Sequence, residues 1–365
     1  MGALQHRWYN GITAGLGLSP VVFQLSQPSL PIPPSDRELW ACEDTLPPKS
    51  LTLHRGTHAG RRFFDEYQKL VQRMQLPPGS LAHKLGPELH QAWLEHLEMQ
   101  QPQPRESQLP ALFQRWAMRH APSARGGGVA ALAQEYLSQA PRRALLSYQG
   151  PDARAADFVG TYAELLQAIS HPTHTAFRFD SALTSDDVNR TWAGGVGMEA
   201  EGLWPGAGDA PASLRFASSR VTVEVRLRTL AIWTATPGPW YSSSLLGLAY
   251  SSRTAPPWSR SEDWDSFFGS EGSLRYLNAS LVIVDGLRAT LSSAAQYDKS
   301  EQDAVRRAAP QGLWPFFVPG SAATIAVEFD ASSHLRVELC TQPGAPLLLG
   351  ANVLSIARYL GHGGE

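Results

Sequence analysis

The sequence predicts an α+β fold in which an N-terminal helical region is followed by an antiparallel β-sandwich or flattened barrel. Two observations lead to this prediction. Apolar residues recur with helical spacing before the His171-Pro172 dipeptide and alternate with polar residues after it. The strand-like segments beyond it follow one another without strand-helix-strand alternation. We expect a Pro-rich arm over residues 1–50 packed on the body, a helical domain over 51–171 and a β-sandwich domain over 172–365.

The first 50 residues are rich in proline, which interrupts regular spacing. The interrupting residues include Pro28, Pro31, Pro33, Pro34, Pro47 and Pro48. Apolar residues such as Val22, Phe23 and Leu25 lie between them and can anchor the segment to a core. We therefore expect an irregular arm.

Between residues 51 and 171 the apolar residues form five stripes with helical spacing, and we expect five short helices. The stripes include Phe63, Tyr67 and Leu70, then Leu89, Trp93 and Leu97, then Leu112, Phe113 and Trp116, then Val129, Leu132 and Tyr136, and finally Phe158, Tyr162 and Leu165.

After residue 172 two kinds of strand are expected. Segments 221–227 and 335–339 alternate apolar with polar residues, which predicts strands with one wet face and an antiparallel sheet. Segments 281–284 and 347–349 are wholly apolar, which predicts burial on both faces. Two stacked sheets would account for both kinds. The Asp285-Gly286 dipeptide indicates a hairpin turn between two of these strands.

One helix is expected among the strands. Ser300 with Asp303 has the spacing of a capping box, and Pro310 ends the segment. A weak repeat, Gly-Leu-Trp-Pro at 202–205 and 312–315, precedes an alternating strand each time. The repeat is consistent with two corners whose tryptophans plug the end of a sandwich, or with a duplicated binding site.

Composition limits the partners. The chain has 365 residues, 43% hydrophobic and 18% charged, which is typical of a globular protein. The net charge of -2, with acids and bases interspersed, argues against nucleic acid as a partner. No transmembrane segment and no Sec-type signal are recognised, so we expect a soluble protein that is cytoplasmic or exported without a Sec signal.

The best candidate for a binding site is a group of aromatic residues in turn-rich segments. Trp240 and Tyr241 follow Pro237-Gly238-Pro239, and Trp258 and Trp264 lie in a segment rich in proline, serine and charge. Aromatic rings on loops can contact a sugar face, a membrane surface or a protein. The alternative is that the same rings cover the open end of the core. Solvent exposure of the four rings would favour binding, and burial would remove its support.

The candidate catalytic residues are carboxylates. Glu262, Asp263 and Asp265 lie beside Trp258 and Trp264, an arrangement with some similarity to the paired acids and aromatic platform of glycosidases. Adjacent acids also form solvated loops or helix caps. Asp285 is a further candidate.

No metal site and no cofactor is predicted. The histidine pairs at 54 and 58, 90 and 96, and 171 and 174 do not form a HExxH or similar ligand set. The glycine-rich segment 192–197 follows no buried strand, and no nucleophile elbow or phosphate-binding loop is present. Cys42 and Cys340 are expected to be buried thiols rather than a disulfide.

These observations lead to two hypotheses about function. The first is a non-enzymatic recognition protein that binds a carbohydrate, a membrane surface or a protein through the loop aromatics of the β-domain, as lectin-like modules and toxin or effector proteins of similar architecture do. The second is a hydrolase or lyase without an organic cofactor that uses carboxylates of region 258–285. The sequence does not predict an oligomeric state. A third, structural interpretation is that the solvent-exposed face of the sheet pairs with another protomer.

Overall fold

The computed structural model describes residues 1–54, 61–74, 81–105, 108–149, 156–189, 191–192, 202–254, 257–258 and 263–362. Its helices are α1 (Gly2–Leu16), α2 (Asp36–Glu43), α3 (Phe63–Gln72), α4 (Leu81–Glu98), α5 (Leu109–His120), α6 (Arg125–Ala144), α7 (Tyr162–Ile169), α8 (Pro211–Ser218), α9 (Ser243–Ser251), α10 (Asp265–Phe268), α11 (Lys299–Ala308) and α12 (Ile356–Tyr359). Its strands are β1 (Phe23–Gln27), β2 (Thr52–His54), β3 (Phe158–Val159), β4 (Thr175–Asp180), β5 (Val221–Trp233), β6 (Thr236–Pro237), β7 (Tyr276–Gln296), β8 (Ala323–Phe329), β9 (His334–Thr341) and β10 (Leu347–Ser355).

Eight of these strands form one large sheet around β7. β5 pairs with one edge of β7, and β9 and β10 pair with successive parts of the other edge. β4 extends the sheet beyond β5, β8 extends it beyond β9, and β1 and β2 extend it beyond β10. Every pair is antiparallel except β1 with β2. The α+β class with a mainly antiparallel sheet is therefore confirmed.

The sandwich or flattened barrel is not confirmed, because the described strands form no closed barrel. The predicted turn at Asp285-Gly286 is wrong, since both residues lie inside the 21-residue strand β7. Gly286 adopts a φ of 62°, which glycine tolerates without a Cβ clash. The Asp285 side chain bonds to neighbouring strand and loop residues instead of closing a turn. The apolar and alternating segments on either side of it are thus one strand.

The sheet has an apolar face and a polar face. In β5 the valines at 221, 223 and 225 are buried, whereas Glu224 and Arg226 are exposed, as the alternation predicts. The apolar face belongs to a core that includes Trp8 of α1 and Phe216 of α8. Cys42 and Cys340 are both free thiols, but Cys340 is exposed because it lies on the polar face of β9, so its predicted burial is wrong.

Residues 1–50 are more regular than predicted. They contain α1, α2 and β1, and β1 pairs with β10 in the large sheet. The reason is that the first sixteen residues lack proline and carry apolar side chains at Leu4, Trp8 and Ile12, all of them buried. The five helices expected over 51–171 are found as α3, α4, α5, α6 and α7.

The chain divides into two compact units. Unit 1 comprises Met1–Phe63, Val159–Thr236 and Ser273–Glu365, and unit 2 comprises Phe64–Phe158 and Pro237–Gly272. The domain boundaries expected at residues 50 and 171 stay predictions. In the described part of the chain, no helix is both long enough and apolar enough to cross a lipid bilayer.

Candidate functional site

The predicted binding residues Trp240 and Tyr241 lie in an aromatic cluster of unit 2. Trp240 is only 1% exposed, and its indole N–H donates to the backbone oxygen of Asp157 at 2.6 Å. Its ring contacts Phe64 at a centroid distance of 5.3 Å, and Tyr241 is half-buried against Tyr67. Trp240 therefore contributes to a core.

Trp258 and Trp264 lie together, as predicted from their proximity in the sequence. Their ring centroids are 5.2 Å apart in an edge-to-face arrangement, and Trp264 also stacks on Phe268. They are 4% and 7% exposed, respectively. Trp240, Trp258 and Trp264 thus lack the solvent exposure that a binding surface requires. Their role in binding stays a prediction, and their burial does not support it.

The predicted acids are not gathered around one cavity in the described residues. Glu262 lies outside those residues. Asp263 and Asp265 are exposed beside the short helix α10, where the Asp263 carboxylate accepts the backbone N–H of Asp265 at 3.1 Å. This is the cap-like role that adjacent acids commonly have. Asp285 belongs to the other compact unit.

Asp285 is a buried ion-pair partner. It has no exposed surface, and it accepts a hydrogen bond from the Arg228 guanidinium at 3.0 Å. Its other oxygen accepts the backbone N–H of Gly344 at 2.6 Å. The first contact joins β5 to β7, and the second holds the segment between β9 and β10 against β7. Its catalytic role stays a prediction.

Sequence reasoning missed Glu43, a buried carboxyl at the end of α2. Burial raises the pKa of Glu43 to about 8, although the backbone N–H of Ala235, at 3.2 Å, favours the charged form. The signal was available, because Glu43 follows Leu39 by four residues and shares the buried face of α2 with it.

Sequence reasoning also missed an apolar groove beside β8. Ala323, Ile325 and Val327 form one wall of this groove, whose volume is about 470 Å³. These side chains project from the face of β8 that continues the apolar face of the sheet, since Ile325 and Val327 pair with the core residues Leu339 and Val337. Ile325 and Val327 are only half-buried. The core is therefore incompletely covered along β8.

The other wall comes from the end of α11 and the chain after it, and includes Arg306, Pro310 and Ser321. α11 begins with a capping box of Asp298 and Glu301, two residues before the predicted Ser300 and Asp303. Arg306 lies over the Phe329 ring, with its guanidinium carbon 5.0 Å from the ring centroid. The groove thus combines an apolar wall with the Arg306 guanidinium, which also pairs with Asp303 at 3.4 Å.

Among the described residues, one edge of β8 has no strand partner along this groove. The Asp330 N–H donates to the His334 oxygen at 3.1 Å, and the register from this pair continues without a shift through all of β8 and β9. Bonded and non-bonded pairs alternate in an antiparallel ladder. The even-numbered residues of β8 therefore bond to β9, whereas Ile325, Val327 and Phe329 direct their N–H and C=O groups to the opposite edge. No backbone of the described residues pairs with these three.

We call this row of outward backbone groups, together with the groove, the β8 edge. Sequence reasoning predicted the strand but not its position at the margin of the sheet, because strand order is set by contacts distant in sequence. Nowhere in the described residues are three or more His, Cys, Asp or Glu side chains grouped to hold a metal ion. Comparison with protein-family models, curated proteins and solved structures finds no match to this chain.

Proposed function

We propose that the protein is a non-enzymatic recognition protein that binds an extended strand of a protein partner at the β8 edge. The observation that carries this proposal is the row of outward N–H and C=O groups at Ile325, Val327 and Phe329. Strand addition to an open edge is a general mode of peptide recognition, in which backbone hydrogen bonds supply affinity and pockets for alternate side chains supply specificity.

The chemistry of the edge favours a polypeptide over the other candidate ligands. Donors and acceptors repeat at every second residue along β8, and another strand has the same repeat. Sugars and membranes would need exposed aromatic rings, and three of the four rings expected to serve them are buried, whereas Tyr241 is half-buried. A protein is therefore the best supported of the three ligand classes.

The groove beside the edge fits alternate side chains of an added strand. Its volume of about 470 Å³ lies within the range of small-ligand pockets, roughly 300–1,000 Å³. Ile325 and Val327 offer apolar contact, and Arg306 offers a cation at the margin. We expect apolar side chains of the partner to enter the groove and their polar neighbours to lie on the polar face.

The alternative is a hydrolase or lyase. Its candidates Asp263 and Asp265 are exposed, whereas Asp285 is buried in an ion pair. Among the described residues that line the groove beside β8, none carries a carboxylate. No observation among the described residues favours this second function.

The test uses a fluorescein-labelled heptapeptide of alternating valine and threonine with lysine at each end. We expect its fluorescence anisotropy to rise saturably with the protein, and the Ile325 and Val327 amides to become protected from hydrogen exchange. Val327→Pro removes one outward N–H without removing a bond to β9, and should weaken binding by about ten-fold or more. Thr222→Ala, on the polar face of β5 and separated from β8 by β9 and β7, is the control and should bind like the wild type.

Equal binding by Val327→Pro would overturn the proposal, as would the absence of binding at protein concentrations where the chain is monomeric. A saturable response to sugars or anionic vesicles without protection of β8 would also contradict it and would favour the other ligand classes.

A further inference from the structure

We propose that the strand that pairs with the β8 edge is β8 of a second copy of this chain, in antiparallel orientation about a two-fold axis at Ala326. This inference rests on the proposed function, because it names the partner of the same edge. Edge strands are commonly protected by charged side chains, proline or a bulge. β8 has no proline over Ala323–Phe329, its register with β9 has no shift, and Glu328 is its one charged residue.

The backbone groups match in this register. Ile325 of one copy lies opposite Val327 of the other, and both direct their N–H and C=O groups outward. Each such pair exchanges two hydrogen bonds. The two-fold axis generates a second, equivalent pair, in which Val327 of the first copy lies opposite Ile325 of the other. A shift of one residue would place these groups opposite residues that already bond to β9. The alternation along β8 therefore excludes half of the possible registers.

The apolar side chains of β8 are complementary to themselves in the same register. On the groove side, Ile325 faces Val327, and Phe329 faces Ala323. The large ring thus meets a small residue, beside which Gly320 and Ser321 line the groove. Side chains that are half-buried in one copy would become covered by the other, which removes apolar surface from water.

The polar face contains no repulsive pair in this arrangement. Glu328 faces Thr324, whose hydroxyl can donate to the carboxylate, and Ala326 faces its counterpart on the axis. All three are exposed in one copy. Residues opposite each other in a non-hydrogen-bonded pair have the closest side chains in a sheet, and alanine is small enough for that position.

The experiment replaces Ala326, the residue on the proposed two-fold axis. Ala326→Lys and Ala326→Glu each place like-charged side chains opposite each other, with their Cβ atoms about 5 Å apart, and should weaken self-association by about ten-fold or more. An equimolar mixture places lysine against glutamate and should restore the dimer. Sedimentation velocity of the full chain over a dilution series measures the self-association of each variant and of their mixture. Ala176→Lys and Ala176→Glu, on the polar face of β4, are matched controls that should dimerise like the wild type.

The outcomes separate this inference from the proposed function. A wild type that is monomeric at every concentration but binds the valine-threonine peptide overturns the second-copy inference alone. A dimer that both Ala326 variants leave unchanged uses another surface and overturns it too. If the monomeric Ala326→Lys variant, shown by circular dichroism to be folded, fails to bind the peptide, the proposed function also fails.

Discussion

At the scale of single residues, two buried carboxyls show opposite solutions to the cost of burying charge. Asp285 is paired with the Arg228 guanidinium and the Gly344 N–H. Glu43 accepts the N–H of Ala235, and burial raises its pKa to about 8. Glu43 is therefore mainly protonated in the folded protein at neutral pH, whereas the same carboxyl ionises near 4.5 when solvated.

This difference predicts a stability that depends on pH. Below the unfolded pKa of 4.5, Glu43 is protonated in both states and has no effect. As pH rises toward about 8, only the unfolded chain ionises, so the wild type loses up to about 4 kcal/mol of its free energy of unfolding. Glu43→Gln lacks this loss, so its advantage over the wild type should grow between pH 5 and pH 9, approximate limits set by the two pKa values.

Urea unfolding at these pH values measures the effect. Glu38→Gln, an exposed position of the same helix, is the control and should keep the pH dependence of the wild type. Parallel pH profiles for Glu43→Gln and the wild type would show that Glu43 ionises similarly in both states.

At the scale of elements, the two Gly-Leu-Trp-Pro segments meet each other in unit 1. The backbone N–H of Trp314 donates to the backbone oxygen of Leu203 at 2.9 Å. Trp314 is 2% exposed, contacts the ring of Trp8 at 5.5 Å and donates its indole N–H to Gln5 at 3.0 Å. Trp204 is only half-buried. The repeat therefore joins two segments of core, and its two tryptophans are not equivalent.

We expect Trp314→Ala to lower the free energy of unfolding by about 3–5 kcal/mol, because it leaves a cavity among aromatic rings. Trp204→Ala should cost less than about 2 kcal/mol, since water can fill part of the space that the ring leaves. Chemical denaturation of both variants measures the difference. Equal losses would mean that the segments contribute alike despite their different burial.

At the scale of the whole molecule, tryptophan is mainly a core residue. Eight of the eleven tryptophans are buried, and Trp40, Trp204 and Trp233 are half-buried. We expect a fluorescence maximum at short wavelength and quenching by acrylamide several-fold weaker than in urea. Sugars and lipid vesicles should cause no saturable change. A saturable change that disappears in a folded variant with Trp258 and Trp264 replaced by alanine would restore the aromatic binding hypothesis.

Much of the fold was predictable because it depends on local periodicity. The apolar stripe with Trp93 and the stripe with Phe113 indicated helices, and the alternation around Glu224 and Arg226 indicated a strand with a wet face. The candidate site was not predictable in this way. Rings on turn-rich segments have the same local pattern whether they end in solvent or in a core, and Trp240 and Trp258 lie in a core.

The sequence by itself determined the α+β class, the five helices of residues 51–171 and the alternating strands, since each follows from the spacing of apolar residues along a short segment. Only the tertiary structure decided that Asp285 lies within a long strand, that Glu43 is buried and that β8 is an edge. These features depend on which distant segments pair and pack together. The apolar pattern of one segment does not show which other segments will lie next to it.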